Sequence, residues 1–219
     1  MTPSKIIRSK RRTLSISIND NAELIVRAPH KLSIDKIHDF IIEKEKWLNK
    51  QKKIVNKRLS DSFLDKDMAL YLGSLFPIKT AQSQSNKLTF NGEEFLAGSS
   101  EQEIISLSLK KWYKNKFKEV AIPRLTYFAD KYNISVNQVR IKEQKTLWGS
   151  CSSRNNINLN YLLIMAPMYV IDYVIIHELV HTIHKNHSVN FWKTVESMMP
   201  NFKEAKSWLK EFGYKLRKL

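Results

Sequence analysis

His177-Glu178-Leu179-Val180-His181-Thr182-Ile183-His184-Lys185-Asn186-His187 holds four of the six histidines of the chain. Two histidines four residues apart on a helix stand one above the other on the same face, so both imidazoles can reach one metal ion at roughly 2.0–2.1 Å. Glu178 lies about 100° round the helix from His177. From there it can act on a water molecule at the metal as a general base without ligating the metal itself. Val174, Ile175, Ile176, Leu179, Val180 and Ile183 carry no charge, which predicts a helix buried on most sides.

A catalytic zinc takes three protein ligands and keeps a fourth position open, so a third ligand must follow His181. His187 is the leading candidate. Asn186 can take the left-handed conformation that ends a helix, Ser188 can cap the next helix, and a chain that turns there returns His187 to the other two. His184 shares the face of His177 but lies about 10.5 Å along the axis; it reads as a residue that supports the ligands or lies at the surface. Glu196 and Glu204 are alternative ligands, as carboxylates from later helices. The pattern points to one zinc ion and to hydrolysis with Glu178 as the base.

Composition sets the outer limits. At 219 residues with 42% hydrophobic and 26% charged content, the chain suits one sizeable core or two small domains and not a disordered protein. Met1 to Thr13 is basic without an apolar segment, and Tyr161 to Ile176 is interrupted by Pro167 and Asp172. Neither a secretory signal nor a membrane span is expected, and a cytoplasmic protein is. The single Cys151 excludes an internal disulfide. The net charge of +16 can attract nucleic acid or nucleoside phosphates. Twenty-eight of the 37 basic residues are lysine, however, whereas bidentate phosphate and base recognition favours arginine; a solvated basic face accounts for most of that charge.

Working outward from the histidines, Pro167 can start their helix. After His187 a helix bearing Phe191, Trp192, Val195 and Met198 is placed to floor the ligands, and Phe202 to Phe212 forms a last helix stopped by Gly213. Extended segments are expected at Gln138 to Lys142 and Ile157 to Ile164, with Leu147 to Ser152 between them as a tight turn or as a loop beside the metal. A strand next to the metal helix could bind a peptide along its edge through main-chain hydrogen bonds. Upstream, a long helix from Glu101 is expected to kink or break at Pro123. The best domain boundary is Gly98-Ser99-Ser100. The preceding residues 1–100 read as a hairpin, Leu14 to Ile18 with Glu23 to Arg27, then one Lys-rich helix from Ile34 to about Arg58. A loop at Asp61 to Asp67 follows, with strands near Ala69 to Leu72, Phe76 to Thr80 and Lys87 to Phe90.

These pieces together resemble the YgjP-like metallopeptidase family, which is related to the WLM and SprT-like zinc peptidases. The resemblance rests on Trp148-Gly149-Ser150-Cys151, Ile157-Asn158-Leu159-Asn160, Ala166-Pro167, His177-Glu178-Leu179-Val180-His181, and His187-Ser188 followed by Phe191-Trp192. The early hairpin and Lys-rich helix extend it over nearly the whole chain. It implies an α+β, zincin-like catalytic domain over 101–219, with the metal helix packed beside a small sheet. It implies zinc on His177, His181 and His187, with Glu178 as the base, and makes the Cys151 segment a family feature near the site. One departure is Leu147, where such sequences commonly carry a basic residue. The histidine spacing also equals that of the metzincins, but His184 stands where they have glycine.

A peptidase acting on unfolded protein or peptides is the leading expectation. The same chemistry on phosphorus would make a nucleoside triphosphate hydrolase, and a nucleic-acid-associated zinc module is a third class. A carboxylate between the ligands argues against that last class, because a structural zinc needs no base. Tyr161, Arg140 and His184 are the available guesses for stabilising an oxyanion.

Overall fold

Three short strands open the chain, β1 (Lys5–Ser9), β2 (Ser15–Ile18) and β3 (Leu24–Pro29), in the order β1-β3-β2. They belong to a computed structural model that describes residues 1–19, 21–60, 67–81 and 87–217. The expected hairpin is β2 with β3, antiparallel. Asn19 shapes its turn by accepting, at its side-chain oxygen, the N–H groups of Asn21 and Glu23 at 3.1 and 2.8 Å. Strand β1 was not anticipated; it pairs parallel with β3.

Alternation places Leu24, Val26 and Ala28 on one buried face, where they meet Ile37, Ile41 and Leu48. Each large aliphatic side chain buried there contributes about 1.5–3 kcal/mol. The single Lys-rich helix of the sequence reading is two helices, α1 (Ile34–Glu43), capped by Ser33, and α2 (Glu45–Ser60). The break falls at Lys44, at φ −96° and ψ 8°, and Ile41 and Leu48, seven residues apart and so on nearly the same helical face, both enter the core.

Chain contacts separate two units, Met1–Phe63 and Leu64–Leu219, rather than dividing at Gly98 to Ser100. In the second unit β4 (Met68–Tyr71), β5 (Ser74–Thr80), β6 (Leu88–Phe90) and β7 (Phe95–Ala97) form a sheet of order β4-β5-β7-β6. The physical reason for the division is an aromatic cluster. Tyr71, Phe90 and Phe95 surround Trp112 of α3 (Gln102–Lys131) at ring separations of 5.1, 6.0 and 4.9 Å, and the Tyr113 hydroxyl donates to the Leu70 carbonyl at 2.6 Å. Most of the expected loop from Asp61 to Asp67 lies outside the described residues.

Helix α3 does not break at Pro123. Ala121 and Leu125, on either side of it, are buried, so packing holds the helix where local propensity would end it. A second sheet follows, β8 (Gln138–Lys142), β9 (Gly149–Cys151) and β10 (Asn156–Asn160), in the order β8-β10-β9. The strand expected to reach Ile164 stops at Asn160 and continues as a 3₁₀ turn, Tyr161–Met165.

Helix α4 (Met168–Ile183) is apolar nearly all round and correspondingly buried: Val170, Ile171, Val174, Ile175, Ile176, Leu179 and Val180 are all interior. It packs against β9 and β10, against α3 through the Arg124–Asp172 ion pair, and against α5 (Val189–Met198) and α6 (Phe202–Leu216). This is the expected α+β arrangement, with the histidine-bearing helix beside a small sheet. Gly213 does not stop α6, which runs on to Leu216; a Cβ there would lie 3.0 Å from the Trp148 ring, so the glycine makes room for that indole. No helix among the described residues is long and apolar enough to cross a membrane.

Candidate metal centre

Helix α4 brings His177 and His181 to one face, with ring centroids 4.9 Å apart. It ends at Ile183 because His184 turns extended, at φ −120° and ψ 108°. The reversal therefore comes at His184; Asn186 is not among the residues with positive φ. Ser188 then caps α5, its hydroxyl accepting from the Phe191 N–H at 3.3 Å. Between these two fixed points His187 folds back. Its Nε2 lies 3.0 Å from Nε2 of His177 and 3.2 Å from Nε2 of His181. Among the described residues these three are the group arranged to hold a metal ion.

The donor set fits zinc. Three nitrogens at about 2.05 Å from an ion in tetrahedral geometry stand about 3.3 Å from one another, close to the two separations observed. The tautomer fits as well. His181 donates from Nδ1 to the His184 carbonyl at 3.0 Å, which leaves Nε2 as a lone pair directed at the cluster. Burial, reinforced by the neighbouring His181, His187 and Lys206, pushes His177 down to about 3, and burial also lowers His181. Both imidazoles are thus held neutral, the state a metal ligand requires. Phe191, fully buried, sits under all three rings at 4.9, 4.6 and 4.8 Å and forms the expected floor.

Glu178 is 5% exposed, and its Oε2 has no hydrogen-bond partner among the described residues. Burial pushes its carboxyl up to about 8. Its place is set by Gly149 on β9, where a Cβ would fall 2.6 Å from Glu178 Cγ and Oε1. The segment leading into β9 is in turn held by Asn160, fully buried, whose side-chain N–H groups donate to the carbonyls of Gln144 and Leu147 at 2.7 and 3.0 Å. The sequence carried Gly149 and Asn160 within two quoted motifs, but nothing local to either announces these tasks. Within the Leu147 to Ser152 segment, Gly149–Cys151 form strand β9 packed along α4, so the segment is not only a turn. Cys151 lies on it half-buried, its thiol pushed up by burial.

A cleft of about 260 Å³ opens beside Glu178 and His177, walled by Leu147, Trp148, Val174 and Leu209, with Lys206 on its lining. Tyr173, also on this lining, was not singled out by the sequence reading. Its position one helical turn before His177 is the signal that could have found it. Burial and then the charge of Glu178 push its hydroxyl up to about 12.

The remaining candidates fall elsewhere. His184 lends its carbonyl to His181, while its own Nε2 pairs with the Thr194 hydroxyl at 3.1 Å. Glu196 is paired with Lys203 at 3.2 Å, and Glu204 is exposed in the first turn of α6; neither joins the metal group. Arg140 bonds Gln138 on β8, which β10 separates from β9. Tyr161 is buried in the 3₁₀ turn.

Two similar solved structures are metallopeptidase zymogens. Abylysin of Pyrococcus abyssi is 24% identical, with a TM-score of 0.39, over 42% of this chain and 95% of its own. Jannalysin of Methanocaldococcus jannaschii is 23% identical, with a TM-score of 0.35, over 43% of this chain and 94% of its own. No curated protein matches the chain. Residues 12–212 match the YgjP-like, metallopeptidase domain family, a span that takes in both units and the whole histidine cluster, and the chain belongs to that family.

Proposed function

We propose that this metallopeptidase-family chain is a zinc peptidase in which His177, His181 and His187 hold one ion and Glu178 is the general base. The observation that carries the reading is the convergence of three imidazole Nε2 atoms beside a buried carboxyl oxygen that has no hydrogen-bond partner among the described residues. Bound there, zinc supplies a Lewis acid that polarises the scissile carbonyl and brings the pKa of water toward about 7. Glu178 takes the proton of the attacking water and passes it to the departing amine. Burial alone raises this carboxyl, whereas a neighbouring cation favours its ionised form, so the base is ready when the site is loaded.

The substrate is held as an extended chain. Strand β9 is the outer strand of its sheet and lies along α4, so its free edge offers main-chain donors and acceptors to a peptide. The cleft walls are mostly apolar, with one lysine among them. A triphosphate needs several cations, so the nucleotide reading has no support in this lining.

The test is release of peptides from an unfolded protein by the zinc-loaded chain. Release should stop with a chelator and return with added zinc. Phosphate release from nucleoside triphosphates without any peptide release would overturn the reading.

A further inference from the structure

Lys206 lines the cleft together with His177 and Glu178. Its ammonium stands 3.9 Å from the centroid of the Trp192 ring, a cation–π contact that fixes where the charge lies. Trp192 is itself held between His187 and Phe202, stacked on them at 5.7 and 5.5 Å. Among the described residues Lys206 forms no ion pair. The cleft is therefore a largely apolar slot, walled by Leu147, Val174 and Leu209, that carries one positioned cation outside any ion pair among the described residues.

The side of the scissile bond that this slot serves follows from proton transfer. A base that takes a proton from water and returns it to the departing amine must face that amine. The slot bounded by Glu178 thus receives the residue whose amine leaves. An aliphatic wall with an ammonium group complements a carboxylate on an aliphatic stem.

Resting on the peptidase reading, we propose that Lys206 binds a carboxylate carried by the residue that supplies the leaving amine. That carboxylate is either the free C-terminus of the substrate or an Asp or Glu side chain. The two sources share one chemistry and are separated by two matched peptide pairs. In one pair the leaving residue is a C-terminal leucine, ending as carboxylate or as amide. In the other it is Glu or Gln within an amide-capped peptide.

With zinc-loaded protein, kcat/KM should favour the carboxylate member of at least one pair about tenfold or more, and the pair that responds names the source. Lys206→Met should bring that ratio to about one, Lys206→Arg should keep it, and Lys206→Glu should push it below one. A lysine that only supports Trp192 would not move the ratio.

A second readout does not depend on turnover: calorimetric binding of the departing products, leucine against leucinamide and Glu-Ala amide against Gln-Ala amide, to zinc-loaded Glu178→Gln protein. Carboxylate-dependent binding that Lys206→Met abolishes supports the subsite even if no peptide is cleaved; in that case it is the peptidase reading that fails. Cleavage of charged and neutral members at equal rates overturns the proposal. So does a preference that survives Lys206→Met, or equal or undetectable binding of the paired products.

Discussion

The Glu178 carboxyl group occupies the space that a side chain at Gly149 would need: a Cβ on Gly149 would lie 2.6 Å from Glu178 Oε1 and 2.8 Å from Cδ. Strand β9 and helix α4 approach this closely only because residue 149 is glycine. The contact fixes the orientation of the Glu178 carboxyl group, the proposed base, relative to the histidines.

Gly149→Ala should therefore displace the carboxyl group and leave the three imidazoles in place. The expected result is a loss in kcat/KM on the order of 10²-fold, with one zinc still bound per chain. Peptide kinetics and metal analysis on the same preparation check it. Loss of zinc together with activity would mean that Gly149 supports the fold of the site and not the base alone.

His187 and His184 should separate cleanly in metal affinity. On the proposed ligand set His187→Ala removes one of three ligands, so the apparent zinc affinity should fall by more than about a hundredfold. His184→Ala leaves the carbonyl that orients His181 and removes only the contact to Thr194. Its affinity should stay within about tenfold of the unsubstituted protein. Competition with a chromophoric chelator measures both, and equal losses would make His184 a ligand.

Metal-free protein should show the burial of Glu178 as a pH-dependent stability. The folded-state carboxyl is raised from 4.5 to about 8. Between these values the unfolded chain has released a proton that the folded chain keeps, so stability falls as pH rises through this window. Glu178→Gln removes the effect. The metal-free variant should melt several degrees above the unsubstituted protein at pH 8 and show little difference near pH 5. An increment that does not grow with pH would show that Glu178 is not held in a desolvating environment.

The histidine-bearing helix was legible because its signals are local. The four-residue histidine spacing, the apolar surround and the Ser188 cap all lie within one or two turns of chain. The return of His187 was legible only as a possibility. It depends on the extended conformation of His184, for which Asn186 was the mistaken candidate. A break at Pro123 and a stop at Gly213 were read by local propensity and overruled by packing, through buried Ala121 and Leu125 in one case and the Trp148 indole in the other. Strands 69–97 were grouped with the N-terminus by chain order, whereas their aromatic side chains belong with Trp112. The contact of Gly149 with Glu178 was invisible for a related reason: a glycine in a strand has many meanings, and its partner lies on another element.

The central claim is that Glu178 works as a base beside a zinc ion held by His177, His181 and His187. Its most direct test compares zinc-loaded protein with zinc-loaded Glu178→Gln on one unfolded protein substrate, with bound zinc measured in both. The account predicts equal zinc content and a loss of peptide release of at least about 10³-fold in the variant. Full peptide release by a Glu178→Gln protein that still binds one zinc would contradict it.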